Sequence, residues 1–274
     1  MEFSLSRTEV SRFEYRSEAT STNDVLKEHA TADAAAWPDL SVIVTDNQTQ
    51  GRGRLGRVWL APTGKALAIS VLVRPEVPRH ALGWFPLLAG AAMTRAVKTV
   101  VEASMKPVEG VKEAEEPRHD TSLKWPNDIL IDGYKVCGIL CELLPDTKGI
   151  IIGAGLNLSL DEHDLPTLTS TSLLLVTRTT PDPDQVLAAY LHELVTLYDA
   201  FVKAHGDAQA SGLHAAVSAL CGTLGSVVRV ELPGGTDLIG TATGIDADGR
   251  LTVVNQVDGE ERSVAAGDVT HLRY

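Results

Sequence analysis

The chain has 274 residues, enough for roughly two domains and a core large enough for an enzyme. Its formal net charge of −12 argues against general affinity for nucleic acid, and no apolar run approaches the ~18 residues of a membrane span. Cys137, Cys141 and Cys221 lack CxxC spacing and read as buried reduced thiols, the histidines form no ligand cluster, and the N-terminus lacks a signal-peptide pattern, so the chain reads as cytoplasmic.

Ser21, Thr22, Asn23 and Asp24 are all N-cap residue types ahead of VLKEHA, which predicts an early helix. Strands are predicted at 41–46 and 65–74. Between them, GRGRLG at 51–56 satisfies a GxGxxG pattern. A dinucleotide fingerprint needs a helix opening on those glycines, whereas here Pro62 and Gly64 break the chain ahead of a β-branched alternating run. Nor is TGKA at 63–66 a Walker A loop, since Trp59 stands at its first glycine position and Ala66 at its metal-binding hydroxyl. What remains is a flexible loop with Arg52, Arg54 and Arg57 beside glycines that let backbone amides approach an anion.

Residues 84–104 carry a helical apolar stripe, and 105–120, with four glutamates and two prolines, read as a solvated, mobile insertion. Short strands then recur in SLKW, DILI, YKVCGILCELL and GIIIGAGLNLSL, separated by Pro126, Asn127, Asp132, Gly133 and Asp146. Residues 182–204 predict a strong amphipathic helix and 208–220 a shorter one. From Gly222 the texture changes to β runs divided by PGG, DADG and VDGEE, which predicts a small β-barrel. The expected organisation is an α/β domain over 1–221 and a β-rich domain over 222–274.

Six motifs stand in order: STND (21–24), QTQGRGRLGRVW (48–59), KWPNDILIDGYKVCGILCE (124–142), GAGLNLS (153–159), TSTSLLL (169–175) and AAGDVTHLR (265–273). Together they resemble the biotin protein ligase family over nearly all of residues 15–274. The resemblance implies an α/β (α+β) fold, a mixed sheet flanked by helices of the class II aminoacyl-tRNA synthetase-like kind, with a C-terminal SH3-like β-barrel. It implies that biotin and ATP form biotinyl-5'-AMP and pyrophosphate, with Mg2+ on the triphosphate. The biotinyl group then passes to one lysine of the biotin carboxyl carrier domain of a biotin-dependent carboxylase. Bifunctional members carry a winged helix-turn-helix ahead of the ligase core; only a short segment precedes STND, so the expectation is a ligase that does not bind DNA, with a monomer favoured.

Joining a carboxylate to an α-phosphate brings two anions together, so fixed cations and backbone amides must neutralise developing charge. Arg52, Arg54 and the amides of Gly51 and Gly53 are of that kind, and the family spacing after KWPND makes Lys135 the candidate bridge between carboxylate and phosphate. Asp128 has two readings: a turn residue in PND, or a group that orients Lys135 and takes up a proton from the carrier lysine, whose amine ordinarily titrates near ~10.4. The ureido ring of biotin offers two N–H donors and a carbonyl, which call for short polar partners such as Ser21, Thr22, Asn23 and Gln48. Gly51, Arg52, Lys135 and Gly138 complete the biotin set, with Gly153 and Gly155 permitting close backbone approach and Trp59 covering the slot or stacking near the adenylate. Arg54, Arg57, Trp59, Lys124, Asn127 and Asn157 form the ATP and adenylate set, although Asn157 reads equally as a strand-end turn residue. No protein-held metal is expected. The rivals are a lipoate ligase, whose substrate lacks the ureido group, and a non-catalytic biotin-binding module.

Overall fold

The structure is a computed structural model that describes residues 2–59, 62–105, 119–232, 235–265 and 267–272. Most of the expected insertion at 105–120 lies outside the described residues. Strands β1 (Arg12–Arg16), β2 (Ser41–Thr45), β3 (Ala66–Val73), β4 (Thr121–Lys124), β5 (Asp128–Ile131), β6 (Tyr134–Leu143) and β7 (Ile150–Asn157) form one sheet in the order β1-β2-β3-β7-β6-β5-β4. The sheet is mixed: β1 and β2 run parallel, and the other neighbours are antiparallel. Helices α1 (Thr22–Ala32), α2 (Phe85–Ser104), α3 (Leu173–Thr177), α4 (Pro183–Lys203) and α5 (Leu213–Leu220) complete the α/β part.

The period of two along the central strands assigns side chains to two layers. On β3, Leu67, Ile69, Val71 and Val73 join the main core with α2 and α4, while Leu72 faces α1. On β7, Ile150, Ile152, Ala154 and Leu156 take the main-core side and Ile151 the α1 side. Helix α1 covers only part of its face, through Leu26, Ala30, Trp37, Ile43, Leu72, Leu144 and Ile151. Farther along that face stand Ala68, Ser70, Gly138, Gly153 and Gly155, residues too small to fill the space above the sheet.

Strand β1 and helix α3 were not foreseen. RFEYR does alternate, with Phe13 and Tyr15 packed against the main core between Arg12, Glu14 and Arg16, but it is a short edge strand whose residues are all only half-buried. Ser172 caps α3, its Oγ accepting from the Leu175 amide within the TSTSLLL motif.

Beyond Gly222, strands β8 (Val227–Glu231), β9 (Asp237–Ile245), β10 (Leu251–Asn255), β11 (Glu261–Val264) and β12 (Asp268–His271) pair in the order β11-β10-β9-β8-β12. The run RSVAAGDVTHLR thus yields two strands at opposite edges of one sheet. Four inter-strand spacings of ~4.8 Å would put those edges ~19 Å apart if the sheet were flat. The link from Val264 to Asp268 spans at most ~14 Å, so the sheet must curl. Among the described residues β11 and β12 do not pair, so the expected small β-barrel takes the form of a curled five-stranded sheet in which no closure is seen. Gly267 lies where a Cβ would meet Val230 Cγ1 at 2.7 Å, so the absence of a side chain permits the close approach to β8 there.

This sheet shares the main core. Val228, Val230, Leu251 and Val253 join the same buried cluster as α2 and β7, and Trp84 Nε1 donates to the Ala247 carbonyl at 2.8 Å. Trp125 Nε1 likewise donates to the Gly249 carbonyl at 3.2 Å. Among the described residues, no helix is long and apolar enough to cross a membrane.

Candidate active site

Over the small-residue patch of the sheet lies a cavity of about 380 Å³. Part of its polar wall is the start of α1. Ser21 is the N-cap, its Oγ accepting from the Asp24 amide at 3.5 Å, so the predicted capping role of STND is realised in the cavity wall. Gln48 Oε1 accepts from the Thr22 amide at 2.9 Å, which joins the residue before the arginine loop to the helix start. Ser70 on β3 donates to Asn23 Oδ1 at 2.6 Å and lies 2.8 Å from Thr22 Oγ1.

The lining also carries cations, Arg54, Arg57, Lys124 and Lys135. Lys135 reaches it through an irregularity. Ile129 pairs with Cys137 but Leu130 pairs with Lys135, so Val136 is an extra residue, a β-bulge in β6. In a regular strand Lys135 and Gly138 would point to opposite faces; the bulge brings both to the cavity. A Cβ at Gly138 would sit 3.0 Å from Lys135 Nζ, and Asp128, paired with Gly138 across the ladder, meets Lys135 Nζ at 2.6 Å. The backbone of Lys135 is fixed as well, its N–H donating to the Thr169 carbonyl and its carbonyl accepting from the Thr171 amide, both at 2.8 Å.

The arginine loop forms a short hairpin over the cavity. Trp59 N–H donates to the Gly51 carbonyl at 2.9 Å, Arg52 bridges Val58, and Leu55 and Gly56 make the turn at φ 56° and 73°. Trp59 lies across the glycine floor, where a Cβ on Gly155 would overlap its indole, and Lys135 Nζ is 5.5 Å from a Trp59 ring centroid. Gly53 N–H donates to the Arg57 carbonyl at 2.7 Å. The Gly53 amide, expected to face phosphate, thus closes the loop's own turn in this structure.

Each loop arginine holds a different partner. Arg52 Nη2 bonds Asp24 and Glu142 at the cavity mouth. Arg54 donates to Asn127 Oδ1 at 2.9 Å and to the Gly267 carbonyl at 3.1 Å, and burial lowers its pKa against the opposing pull of Asp128 and Asp268. Arg57 pairs with Asp268, whose carboxyl is held below its ordinary range by the Arg57 hydrogen bond despite burial. Lys124 is likewise lowered by burial, with Asp128 and Asp268 countering. Asn127 Nδ2 donates to the Ile139 carbonyl at 2.9 Å.

Ser21, Thr22, Asn23, Gln48, Arg52, Arg54, Arg57, Trp59, Lys124, Asn127, Asp128, Lys135 and Gly138 therefore converge on one cavity. Gly51 and Asn157 do not line it. Gly51 is buried beneath Gln48 and the Trp59 carbonyl, either of which a Cβ would meet at 2.5 Å. Asn157, also buried, donates from Nδ2 to the Thr171 carbonyl at 2.9 Å, the anchoring expected of its strand-end reading. Sequence reasoning assigned no role to Ser70, Glu142 or Asp268. The last two lie inside the motifs, while Ser70 is signalled only by an even position on β3, opposite to Ile69 and Val71.

The lining carboxylates, Asp128 and Asp268, are each paired with a cation, and among the described residues no group of three or more His, Cys, Asp or Glu could hold a metal.

Comparison with known proteins agrees with this geometry. The chain belongs to the Biotin/lipoate A/B protein ligase family, matched over residues 15–157, and residues 223–272 match the Biotin protein ligase C terminal domain. It is 36% identical over 249 residues to a biotin--[acetyl-CoA-carboxylase] ligase of Mycobacterium tuberculosis, a match covering 88% of this chain and 84% of that one. Among solved structures it is similar to the biotin protein ligase from Aquifex aeolicus in complex with biotin and ATP, with TM-score 0.74 and 26% identity over 96% of this chain and 100% of that one. The biotin protein ligase from Leishmania major in complex with biotinyl-5-AMP is also similar, with TM-score 0.60 and 25% identity over 93% and 99% of the two chains.

Proposed function

We propose that this chain is a biotin protein ligase that forms biotinyl-5'-AMP from biotin and ATP and passes the biotinyl group to a lysine of a biotin carboxyl carrier domain. The observation that carries the reading is that one cavity is lined both by the hydroxyl and amide groups of Ser21, Thr22, Asn23 and Gln48 and by the cations Arg54, Arg57, Lys124 and Lys135. A ureido ring suits the first set and a carboxylate meeting a triphosphate suits the second. Biotin's carboxylate oxygen attacks the α-phosphorus, the bond to pyrophosphate breaks, and the mixed anhydride remains. Lys135, fixed by the bulge, balances charge where the two anions meet. Trp59 excludes water from the slot. The carrier amine then attacks the acyl carbon and AMP leaves, with Asp128 close enough to Lys135 to orient it and to receive a proton.

On this reading residues 1–221 form the catalytic unit and 222–274 an accessory unit, whose β12 contributes Asp268, Val269 and Thr270 to the cavity wall. Mass spectrometry of a carrier domain incubated with the protein, ATP and either biotin or lipoate tests the proposal. Biotin-dependent modification of one lysine is expected; equal modification with lipoate, or none with biotin, refutes the substrate assignment.

A further inference from the structure

Asn23 is almost fully buried in the cavity wall, and its amide rests on Gly153 so closely that a Cβ there would lie 2.5 Å from Oδ1. Both Nδ2 hydrogens are committed, one to the Glu142 carboxylate at 2.8 Å and one to the Leu140 carbonyl at 3.3 Å. Each of those oxygens only accepts, so the nitrogen must face them and Oδ1 must face Ser70. Ser70 Oγ donates its single proton to Oδ1 at 2.6 Å, because a carboxamide oxygen cannot donate in return. Asn23 is thereby left with one open acceptor position and no free donor. Glu142 remains an acceptor because it is ionised: burial alone would raise its pKa, but hydrogen bonds from Asn23 and Lys27 and the charges of Lys27 and Arg52 bring it below the ordinary value.

We propose that Ser70 and Glu142 are positioning residues that lock the Asn23 amide with its oxygen toward the cavity, so that the site offers an acceptor to a ligand N–H and rejects a ligand that presents an acceptor there. The inference rests on the biotin reading above and deepens it, since a cyclic urea supplies such N–H donors and a dithiolane supplies none. Neither residue lines the cavity; each reaches it through Asn23, while Ser70 also touches Thr22 Oγ1 and Glu142 also holds Arg52.

Glutamine at position 142 would provide one acceptor atom for the donors of Asn23, Lys27 and Arg52, which now share two carboxylate oxygens. The test measures biotin- and ATP-dependent pyrophosphate release by wild type, Ser70→Ala, Glu142→Gln, Asp24→Asn and the double variant Asn23→Asp with Glu142→Gln, with a thermal melt of each. Ser70→Ala and Glu142→Gln are expected to raise the KM for biotin on the order of tenfold, as loss of one buried hydrogen bond to a committed group does. The KM for ATP and kcat at saturating biotin should move far less. Asp24→Asn removes the other carboxylate on Arg52 and should shift the biotin KM much less than Glu142→Gln does. The double variant should recover part of the loss in Glu142→Gln, because a carboxylate at position 23 accepts from an amide at position 142 and from Ser70 but loses the bond to the Leu140 carbonyl. If Glu142→Gln melts below the assay temperature, Ser70→Ala carries the same comparison.

Unchanged biotin KM in Ser70→Ala overturns the proposal, as does an equal rise in Asp24→Asn, which would route the effect through Arg52. A double variant no better than Glu142→Gln overturns it too. Wild type that releases no pyrophosphate with biotin overturns the ligase reading and this inference together; an active wild type with unaffected variants overturns this inference alone.

Discussion

Lys135→Ala separates charge placement from folding. Lys135 and Asp128 are 31% and 23% exposed, and their pair at 2.6 Å is neither buried nor free in solvent. Truncating a fully buried partner costs ~3–5 kcal/mol and a surface one ~0–1, so a loss of ~1–2 kcal/mol in stability is expected. The lower half of that range is favoured because Asp128 keeps Arg54 and Lys124 as neighbouring charges. The catalytic loss should be larger, since removing one fixed group aimed at developing negative charge costs roughly 10²–10³ in rate, or ~3–4 kcal/mol. Pyrophosphate release at saturating biotin and ATP reads the second quantity and thermal denaturation the first. A rate close to wild type would show that Lys135 is an ordinary strand residue whose ion pair serves only the bulge, and would remove the charge-bridging role.

Further outcomes follow from the same geometry. Arg54→Gly deletes the bonds to Asn127 and Gly267, so labelled biotinyl-adenylate should dissociate on the order of tenfold faster, as expected for ~1.4 kcal/mol, with biotinylation of a bystander such as albumin. Equal release and no bystander labelling would mean that these bonds do not hold the loop. Gly155→Ala should displace Trp59 from the glycine floor, shifting tryptophan fluorescence and raising the biotin KM with little change in melting; an unchanged spectrum counts against Trp59 as the cover. Asp184→Asn should lose ~1–3 kcal/mol at pH 7, because the Asp184 carboxylate accepts from the amides of Leu5 and Ser6, both at 2.9 Å, and from Ser6 Oγ at 2.6 Å. Burial opposes ionisation of Asp184, but these bonds hold its folded pKa below the ordinary value. The stabilisation is therefore complete above the unfolded value of ~3.9 and disappears as pH falls through the folded one, so urea melts should show the wild-type advantage shrinking in acid; a constant advantage refutes the linkage.

Apart from β1, the strands of the central sheet were legible because it is apolar on one face and small or polar on part of the other, a pattern of period two that β3 and β7 carry openly. Lys135 was legible only through a motif. Alternation alone puts it opposite Gly138, and the bulge that reverses this depends on a hydrogen-bond register between β5 and β6 that no local pattern reports. The loop arginines were visible as a cluster, but their partners were not: Arg52 meets Glu142 and Arg54 meets Gly267 across long stretches of chain. Glycines in the loop suggested amides free for phosphate, yet a tight turn needs its own hydrogen bond, and the Gly53 amide supplies it. The split of RSVAAGDVTHLR into two edge strands was hidden for a related reason, since a continuous β run does not say which neighbour each half will choose.

The pairing of all three loop arginines changes what substrate binding must do. Arg52 rests on α1 and β6, Arg54 on the turn before β5 and on the segment entering β12, and Arg57 on β12 itself. On the proposed function, an incoming phosphate or carboxylate would compete with Asp24 and Glu142 for Arg52 and with Asp268 for Arg57, while Arg54 would exchange neutral partners. Such an exchange gains less than a new contact, because the protein carboxylate it displaces is left facing water or another cation. Since two of the three anchors lie on or beside β12, the position of the loop depends on the C-terminal sheet, and the curl that carries β12 back onto β8 is what brings Asp268 to the cavity. The C-terminal strands thus act on the cavity through the same arginines that line it.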